Sequence, residues 1–385
     1  MTEKLNSNNN FDQIYNETEK TYRPRNKQLL ERFRSETGKQ ITQPYLSDPS
    51  EQFSLRLRHT TKPDGNVKLE ATLKSAGEIV TDGKSRTEYP GGITQERFDY
   101  YAASTLPTVR KRRVSPLDAI DIDFFESGDV HVESEDPLAW NRFLDHSDLH
   151  TDEFEDVTGL VPDNELLAHI NYRRDHGGRS AFTPYRPFDT DIALESILPY
   201  AKSSIQLSRT AIPIIRVYGR SGSGKSHYLD ILREKLATHG VDSAVLSTDD
   251  YNRGIKALTE INGGNHPTDF DTSEVYDLDA ARTDLLHLLD GSVIQKRTID
   301  YATSEPVFIG ELAPPQHSGV LFVEGIWARH SKFDLADLTF DVGTPIATSI
   351  GQRITRDLVA RPEFADPSSN LQYYLEHAEP AYRST

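Results

Sequence analysis

The chain has 385 residues, 60 acidic against 43 basic side chains, a formal net charge of −17 and no cysteine. That length suffices for two domains of roughly 100–200 residues each. The acidic balance argues against nucleic acid or an anionic membrane surface as partner, because those polyanions need a basic face. The lack of cysteine excludes a disulfide framework and thiolate chemistry and fits a cytoplasmic protein. No apolar run approaches the ~18 residues of a membrane span, and the N-terminus has no apolar signal core.

Residues 1–10 are polar and Asn-rich and read as a disordered tail. Residues 11–172 hold short alternating segments: Gln52–Arg58, Lys68–Lys74, Arg86–Tyr89, Ala119–Phe125 and Val130–Glu135. Turn residues such as Pro63-Asp64-Gly65-Asn66 and Ser127-Gly128-Asp129 separate them, which predicts an antiparallel sheet or barrel with helices. Charges recur at spacing two, so that each pair shares a face: Glu17 with Glu19, Arg56 with Arg58, Arg86 with Glu88, Lys111 with Arg113, Asp121 with Asp123, and Glu133 with Glu135; Lys74 sits on a further strand. The spacing fits two arrangements. One is a half-exposed sheet with its charges in water. The other is a closed barrel whose polar interior binds a polyanion through the bases and a divalent metal through the acids.

Residues 173–210 read as a linker followed by a lead-in helix over Asp191–Leu207. From residue 211 to 385, apolar strands alternate with longer helical segments, the pattern of an α/β domain with a parallel sheet. Ile212–Tyr218 reads as a buried strand and runs into Gly219-Arg220-Ser221-Gly222-Ser223-Gly224-Lys225-Ser226, a G-x-x-x-x-G-K-[ST] phosphate loop. His227–His239 follows at helical spacing, closed by Gly240. Such a loop turns on its glycines and aims amides at phosphate oxygens; Lys225 then reaches the β- and γ-phosphates and Ser226 ligates Mg²⁺. Val241–Ser247 reads as a second strand running into Thr248-Asp249-Asp250-Tyr251, and Gly319–Val323 as a third ending in Glu324-Gly325. Acids at the C-terminal ends of parallel strands sit where ligands bind, and Glu324 there could hold Mg²⁺ directly or through water. Each acid alone is more often a turn or cap residue; their place at strand ends in one domain with a phosphate loop favours the functional reading.

The C-terminal half resembles the uridine kinase/phosphoribulokinase family over roughly residues 212–382. The motifs are Val245–Tyr251, His266-Pro267-Thr268-Asp269-Phe270-Asp271, Ile299-Asp300-Tyr301-Ala302-Thr303, Phe322-Val323-Glu324-Gly325-Ile326, Arg353-Ile354-Thr355-Arg356-Asp357 with Arg361, and Leu371–Pro380. The resemblance implies Asp249 as general base, Lys225, Arg353 and Arg356 on the transferring phosphoryl group, Arg361 in the nucleotide lid, and Ser226 with Glu324 on Mg²⁺. Arg353 and Arg356 lie three apart on one helical face, so that both can reach one phosphate. Thr268, Ile299 and Ser304 stand where that family has an acid, a Tyr and a His for its nucleoside, so the acceptor is not expected to be uridine. The sequence ends before the family's last strand, and the sheet is expected to lack one strand or to recruit another segment.

The N-terminal half resembles the CYTH family, the triphosphate tunnel metalloenzymes, over residues 12–172. The series is Glu17-x-Glu19, Ile41–Leu46, Arg56-x-Arg58, Thr72-Leu73-Lys74, Arg86-x-Glu88, Lys111-x-Arg113, Asp121-x-Asp123, Glu133-x-Glu135 and Val157-Thr158-Gly159 with Asn164. The resemblance implies a tunnel in which Arg56, Arg58, Lys74, Arg86, Lys111 and Arg113 hold an inorganic or organic triphosphate, with Mg²⁺ or Mn²⁺ on Glu17, Glu19, Glu133 and Glu135. Thr21 replaces a tunnel Lys, with Lys20 on the opposite face, and Pro90 replaces a tunnel Glu; lysine loss could weaken hydrolysis while leaving binding.

The expectation is therefore an ATP- and Mg²⁺-dependent phosphotransferase to a small alcohol acceptor, fused to a domain that binds or hydrolyses a triphosphate. Two other readings stay open: a tunnel triphosphatase whose P-loop domain senses nucleotide, and a non-catalytic nucleotide- or polyphosphate-binding regulator. The acceptor and the oligomeric state are not set by the sequence.

Overall fold

The computed structural model describes residues 15–80, 83–160, 162–206, 212–316, 319–360 and 366–384. The expected disordered tail, residues 1–10, lies outside them. The chain divides into two compact units, residues 1–184 with 366–372, and residues 185–365 with 373–385.

The first unit is built on β1 (Tyr15–Pro24), β2 (Lys39–Pro44), β3 (Phe53–Thr61), β4 (Val67–Ser75), β5 (Glu78–Val80), β6 (Gly83–Gly92), β7 (Thr108–Leu117), β8 (Ile120–Phe125), β9 (Val130–Ser134) and β10 (Phe154–Asp156). All pairings are antiparallel, in the order β10-β1-β9-β8-β7-β2-β3-β4-β6-β5. A further pairing of β1 with β6, Glu17 opposite Arg86 and Glu19 opposite Lys84, closes eight of these strands into a barrel. Closure removes the open edges that a sheet would present.

Alternation then sends every second side chain inward. On β8, Ile120, Ile122 and Phe124 face out while Asp121 and Asp123 face Arg113. The apolar core is therefore outside the barrel. α1 (Gln95–Ala102) buries Phe98 and Tyr101. α2 (Pro137–Ser147) starts at Asp136, whose carboxylate accepts from the Leu138 and Ala139 amides, with Pro137 in its first turn. It packs Trp140 and Phe143 against Ile122, Val130 and Val132; Trp140 stacks on Tyr22 with ring centroids 3.8 Å apart. Each large side chain so buried contributes about 1.5–3 kcal/mol. α3 (Asn164–Asp175) is capped by Asp163, and residues 176–189 form no helix or strand.

In the second unit, α4 (Thr190–Gln206) leads into β11 (Ile214–Tyr218) and α5 (Lys225–Thr238). β12 (Ser243–Ser247), α6 (Gly254–Ile261) and α7 (Leu278–Leu289) follow, then the hairpin β13 (Ile294–Asp300) and β14 (Glu305–Leu312), then β15 (Val320–Glu324) and β16 (Leu338–Asp341). α8 (Ile346–Ala360), a π-helical turn at Tyr374–Ala378 and α10 (Glu379–Ser384) complete this unit, while α9 (Pro367–Tyr373) falls, up to Gln372, in the stretch that belongs to the first unit. Among the described residues the main sheet has four parallel strands in the order β12-β15-β11-β16. Both faces are covered. Ile215, Val217, Val320 and Phe322 pack on α4 and α5 through Ile197, Leu229 and Leu232. Ile214, Leu246, Leu321 and Val323 pack on α7 and Trp327. A strand buried on both faces reads as a continuous apolar run, which is why β15 is Val-Leu-Phe-Val before its acid.

Candidate functional site

In the second unit the phosphate loop follows β11 and ends on α5. Gly222 has φ +78°, and a Cβ there would stand 2.3 Å from the Ser349 carbonyl, so only glycine lets the loop approach α8 this closely. Gly219 lies at the strand's end, and Gly224, at φ +85°, caps α5. Lys225 is buried, and its Nζ donates to the carbonyls of Gly219 (3.1 Å) and Arg220 (3.0 Å). Ser226 is exposed in the first turn of α5. Ser223 is buried; its carbonyl accepts from Thr344 Oγ1 at 2.8 Å, and its own Oγ has no partner among the described residues.

Two acids stand at the ends of β12 and β15. Glu324 is 7% exposed; its Oε1 accepts from Ser247 at 2.6 Å while Oε2 has no hydrogen-bond partner among the described residues. Burial pushes its carboxyl up to about 7, with the charge of Asp249 adding and Lys225 opposing. Glu324, Asp249 and Lys225 thus share one electrostatic site. Asp249 is held by its neighbours: the Thr248 amide and hydroxyl both donate to the Glu324 carbonyl, at 2.8 and 3.1 Å. Gly325, at φ +128°, lets this loop close. A Cβ there would meet Thr248 Oγ1 at 2.0 Å and Asp249 Oδ1 at 2.8 Å.

On α8, Arg353 Nη1 donates to Ser221 Oγ at 3.1 Å, and its guanidinium lies over the rings of Tyr373 and Tyr374. Arg356, three residues on, is paired with Asp357 at 2.8 Å, and Arg353 Nε stands 3.7 Å from the same carboxylate. Arg361 lies outside the described residues. Sequence reasoning left Asp271 and Tyr373 without a role. Asp271 is 7% exposed, hydrogen-bonded to Tyr373 and close to Arg353 and Asp249; burial pushes its carboxyl up, against the pull of Arg353. The signal for Asp271 was present as the last acid of the His266–Asp271 motif. Thr268 is exposed, Ile299 lies on β13, and Ser304 takes a left-handed φ of +54° with its carbonyl accepting from Ile255 N–H.

In the first unit the barrel interior is a network of opposed charges. Arg113 donates to Asp123 (2.7 and 2.6 Å) and Asp121 (2.5 Å) and pairs with Glu133. Lys111, buried, pairs with Asp123 and donates to Asn164 Oδ1 at 3.3 Å. Burial, then the Arg113 charge, pushes the Lys111 amine down, while Asp123 and Glu133 oppose them. Lys74, Arg56 (3.9 Å) and Arg86 (3.2 Å) share Glu88, and Arg86 reaches Glu19 at 3.3 Å. Burial and the charges of Arg56 and Arg113 push the Arg58 guanidinium down to about 10, against the pull of Glu70, and its Nε has no hydrogen-bond partner among the described residues. Part of this interior opens as a cavity of about 310 Å³ lined by Glu19, Thr21, Arg56, Lys74, Arg86 and Glu133 among others. Thr21 lines it, while Lys20 turns away to Asp156 at 3.9 Å.

The expected acidic metal set is divided. Glu19 and Glu133 reach the cavity, each already paired with an arginine. The Glu17 side chain lies outside the described residues. Glu135 does not join Glu133: β9 ends at Ser134, the Glu135 amide turns to the Ala119 carbonyl, and the residue is exposed. The described residues bring no three acidic or histidine side chains together for a cation. Glu88, Asp121 and Asp123, which carry the internal pairing, were visible at spacing two but not as site residues.

Residues 214–370 match the model of the Phosphoribulokinase / Uridine kinase family. The matched stretch makes up most of the second unit, from β11 through α8. A curated uridine kinase of Schizosaccharomyces pombe is 25% identical over 178 residues, 45% of this chain and 37% of that protein. The chain therefore spans little more than a third of the length of that relative. Among solved structures, a putative fructose transport system kinase from Silicibacter sp. TM1040 is 17% identical, covering 49% of this chain and 94% of its own, with a TM-score of 0.39. A possible uridine kinase from Bacillus stearothermophilus is 18% identical, covering 50% and 96%, with a TM-score of 0.32. The inorganic triphosphatase NE1496 is 22% identical, covering 40% and 95%, with a TM-score of 0.27. No described helix is long and apolar enough to cross a membrane.

Proposed function

We propose that residues 211–385 form an ATP- and Mg²⁺-dependent phosphotransferase acting on an alcohol acceptor. The observation that carries this is the shared site of Lys225, Asp249 and Glu324 at the C-terminal ends of β11, β12 and β15. Loop amides from Gly219 to Ser226 and the start of α5 hold the phosphates. Asp249 takes the proton of the acceptor hydroxyl; the acceptor oxygen bonds the γ-phosphorus as the bond from phosphorus to the β,γ-bridging oxygen breaks, leaving ADP. Lys225, Arg353 and Arg356, with Arg361, stabilise charge on the transferring group and the nucleotide phosphates. The orphaned buried Oε2 of Glu324 and the exposed hydroxyl of Ser226 fit Mg²⁺, which when bound neutralises charge on the β- and γ-phosphates. Thr268, Ile299 and Ser304 argue against uridine as acceptor, since a site without its hydrogen-bonding groups loses selectivity. A mass-spectrometric screen of ATP with a metabolite pool tests the reading: a new phosphorylated species with the intact protein, absent with Asp249→Ala, names the acceptor, and no species with either refutes transfer.

We further propose that residues 11–172 bind an inorganic or organic triphosphate in the barrel, in a cytoplasmic setting. The buried Arg58, with the charges of Arg56 and Arg113 beside it and its Nε without a partner among the described residues, supports an anion there. Replacement of the tunnel lysine by Thr21 favours binding over hydrolysis. Titration of the full chain with tripolyphosphate should give heat that Lys74→Ala reduces at least tenfold in affinity; no heat with the wild-type chain would remove the proposal.

A further inference from the structure

The last described segment of the second unit touches both substrate loops. Tyr374, fully buried in the π turn, donates its hydroxyl to the Ser221 carbonyl in the phosphate loop at 3.1 Å. Glu379, with no exposed surface, accepts from Arg220 Nε (2.8 Å) and Nη2 (3.1 Å) and from Arg383 Nε (2.8 Å). Arg220 also donates to the Thr344 carbonyl at 3.0 Å and lies over the Tyr382 ring, 4.6 Å from its centroid. Arg220 is a loop residue, yet its charge points into this segment. In the other direction, Tyr373 accepts from the Phe270 amide at 2.9 Å and is hydrogen-bonded to Asp271. His377 Nδ1 stands 3.0 Å from Asp269 Oδ2. Two consecutive tyrosines thus hold different loops, 219–221 and 269–271, and Arg353 lies over both rings while donating to Ser221.

A buried ion pair such as Arg220–Glu379 is weak evidence of stability, because apolar replacements of similar volume often cost nothing. Its distinctive product is a fixed geometry. π turns within α-helices also concentrate at functional sites. We propose that Tyr373–Arg383 is a positioning strap: Tyr374 and Glu379 set the phosphate loop, Tyr373 and His377 set the 266–271 loop, and nucleotide bound at one orders the other before the acceptor arrives. The strap rests on the nucleotide reading above.

Hydrogen exchange on the full chain, with and without a non-hydrolysable ATP analogue and Mg²⁺, tests it without knowing the acceptor. In the wild-type chain, both 219–226 and 266–271 should slow several-fold on adding nucleotide. Tyr374→Phe keeps the ring and removes one hydroxyl. At saturating nucleotide it should retain protection of 219–226 and lose that of 266–271, with about a fivefold weaker nucleotide Kd. Tyr373→Phe should leave the nucleotide Kd within about twofold and speed exchange at 266–271 in both states. A merely structural tyrosine would lower the melting temperature without changing the ratio of exchange rates with and without nucleotide. Wild-type protection confined to 219–226, or a Tyr374→Phe chain that responds as wild type, overturns the strap and leaves the nucleotide reading standing. No protection at 219–226 in the wild-type chain refutes the nucleotide reading and the strap with it.

Discussion

The two units solve the same problem with opposite interiors. Around β15, Leu321, Phe322 and Val323 are fully buried between two helical layers, and the charged groups gather only where the strands end. In the barrel the apolar side chains lie outside the strands, under α2, and the enclosed space is filled by Arg56, Arg58, Lys74, Lys111, Arg113 and their acids. The difference sets where each unit gathers its charged groups. A sheet buried on both faces exposes polar groups only at its C-terminal edge, so a phosphate site there is compact and carried by a few residues. A closed barrel spreads its cations over many strands, and each must be neutralised internally when no anion is present.

The contrast can be broken most sharply at the compact site. Asp249→Asn should lower phosphoryl transfer about 10²–10⁴-fold while leaving nucleotide affinity within a few-fold, as read from steady-state rates and calorimetry; equal loss of both would make Asp249 a binding residue. In the barrel, Arg113→Met leaves buried Asp123 and its partners short of a cation. It should cost about 3–5 kcal/mol of first-unit stability in urea unfolding, with nucleotide binding unchanged. The matching change in the sheet unit, Leu321→Ala, should cost about 2–5 kcal/mol through a cavity and reduce nucleotide binding by local loosening, with triphosphate binding unaffected.

A pH profile gives the smallest effect. Glu165, in the first turn of α3, pairs with Ser47, whose carbonyl accepts from His169 Nε2 at 2.9 Å. Burial pushes its carboxyl from 4.5 to about 7, with Asp163 and Glu51 adding and hydrogen bonds from Ser47 and Ser54 opposing. Between those values the folded chain holds the proton that the unfolded chain has lost. First-unit stability therefore falls by about 2–3 kcal/mol as pH rises from 4.5 to 7 and is flat above. Glu165→Gln should flatten that profile; an unchanged slope would place the titration elsewhere.

Legibility in the sequence followed the same division. The phosphate loop is eight contiguous residues bracketed by a strand and a helix, so local pattern placed it, along with Asp249 and Glu324 at strand ends. Barrel closure depends on β1 meeting β6, some seventy residues apart, and alternation at spacing two is the same for an open sheet. The spacing gave Arg56 with Arg58 and Lys111 with Arg113, but not that Glu88 and Asp123 would be their partners. Glu135 was misread because the strand ends one residue too early for the alternation to continue. Tyr373, Tyr374 and Glu379 were invisible as site residues: a π turn shifts the helical register, and their partners lie about 100 to 160 positions away.

The central claim is that the loop around Lys225 grips the phosphates of ATP. Calorimetric titration of the full chain with a non-hydrolysable ATP analogue and Mg²⁺ tests it most directly. The account predicts a saturable component of the heat that disappears with Lys225→Ala while tripolyphosphate binding persists; no heat with the wild-type chain, or undiminished heat with the variant, would contradict it.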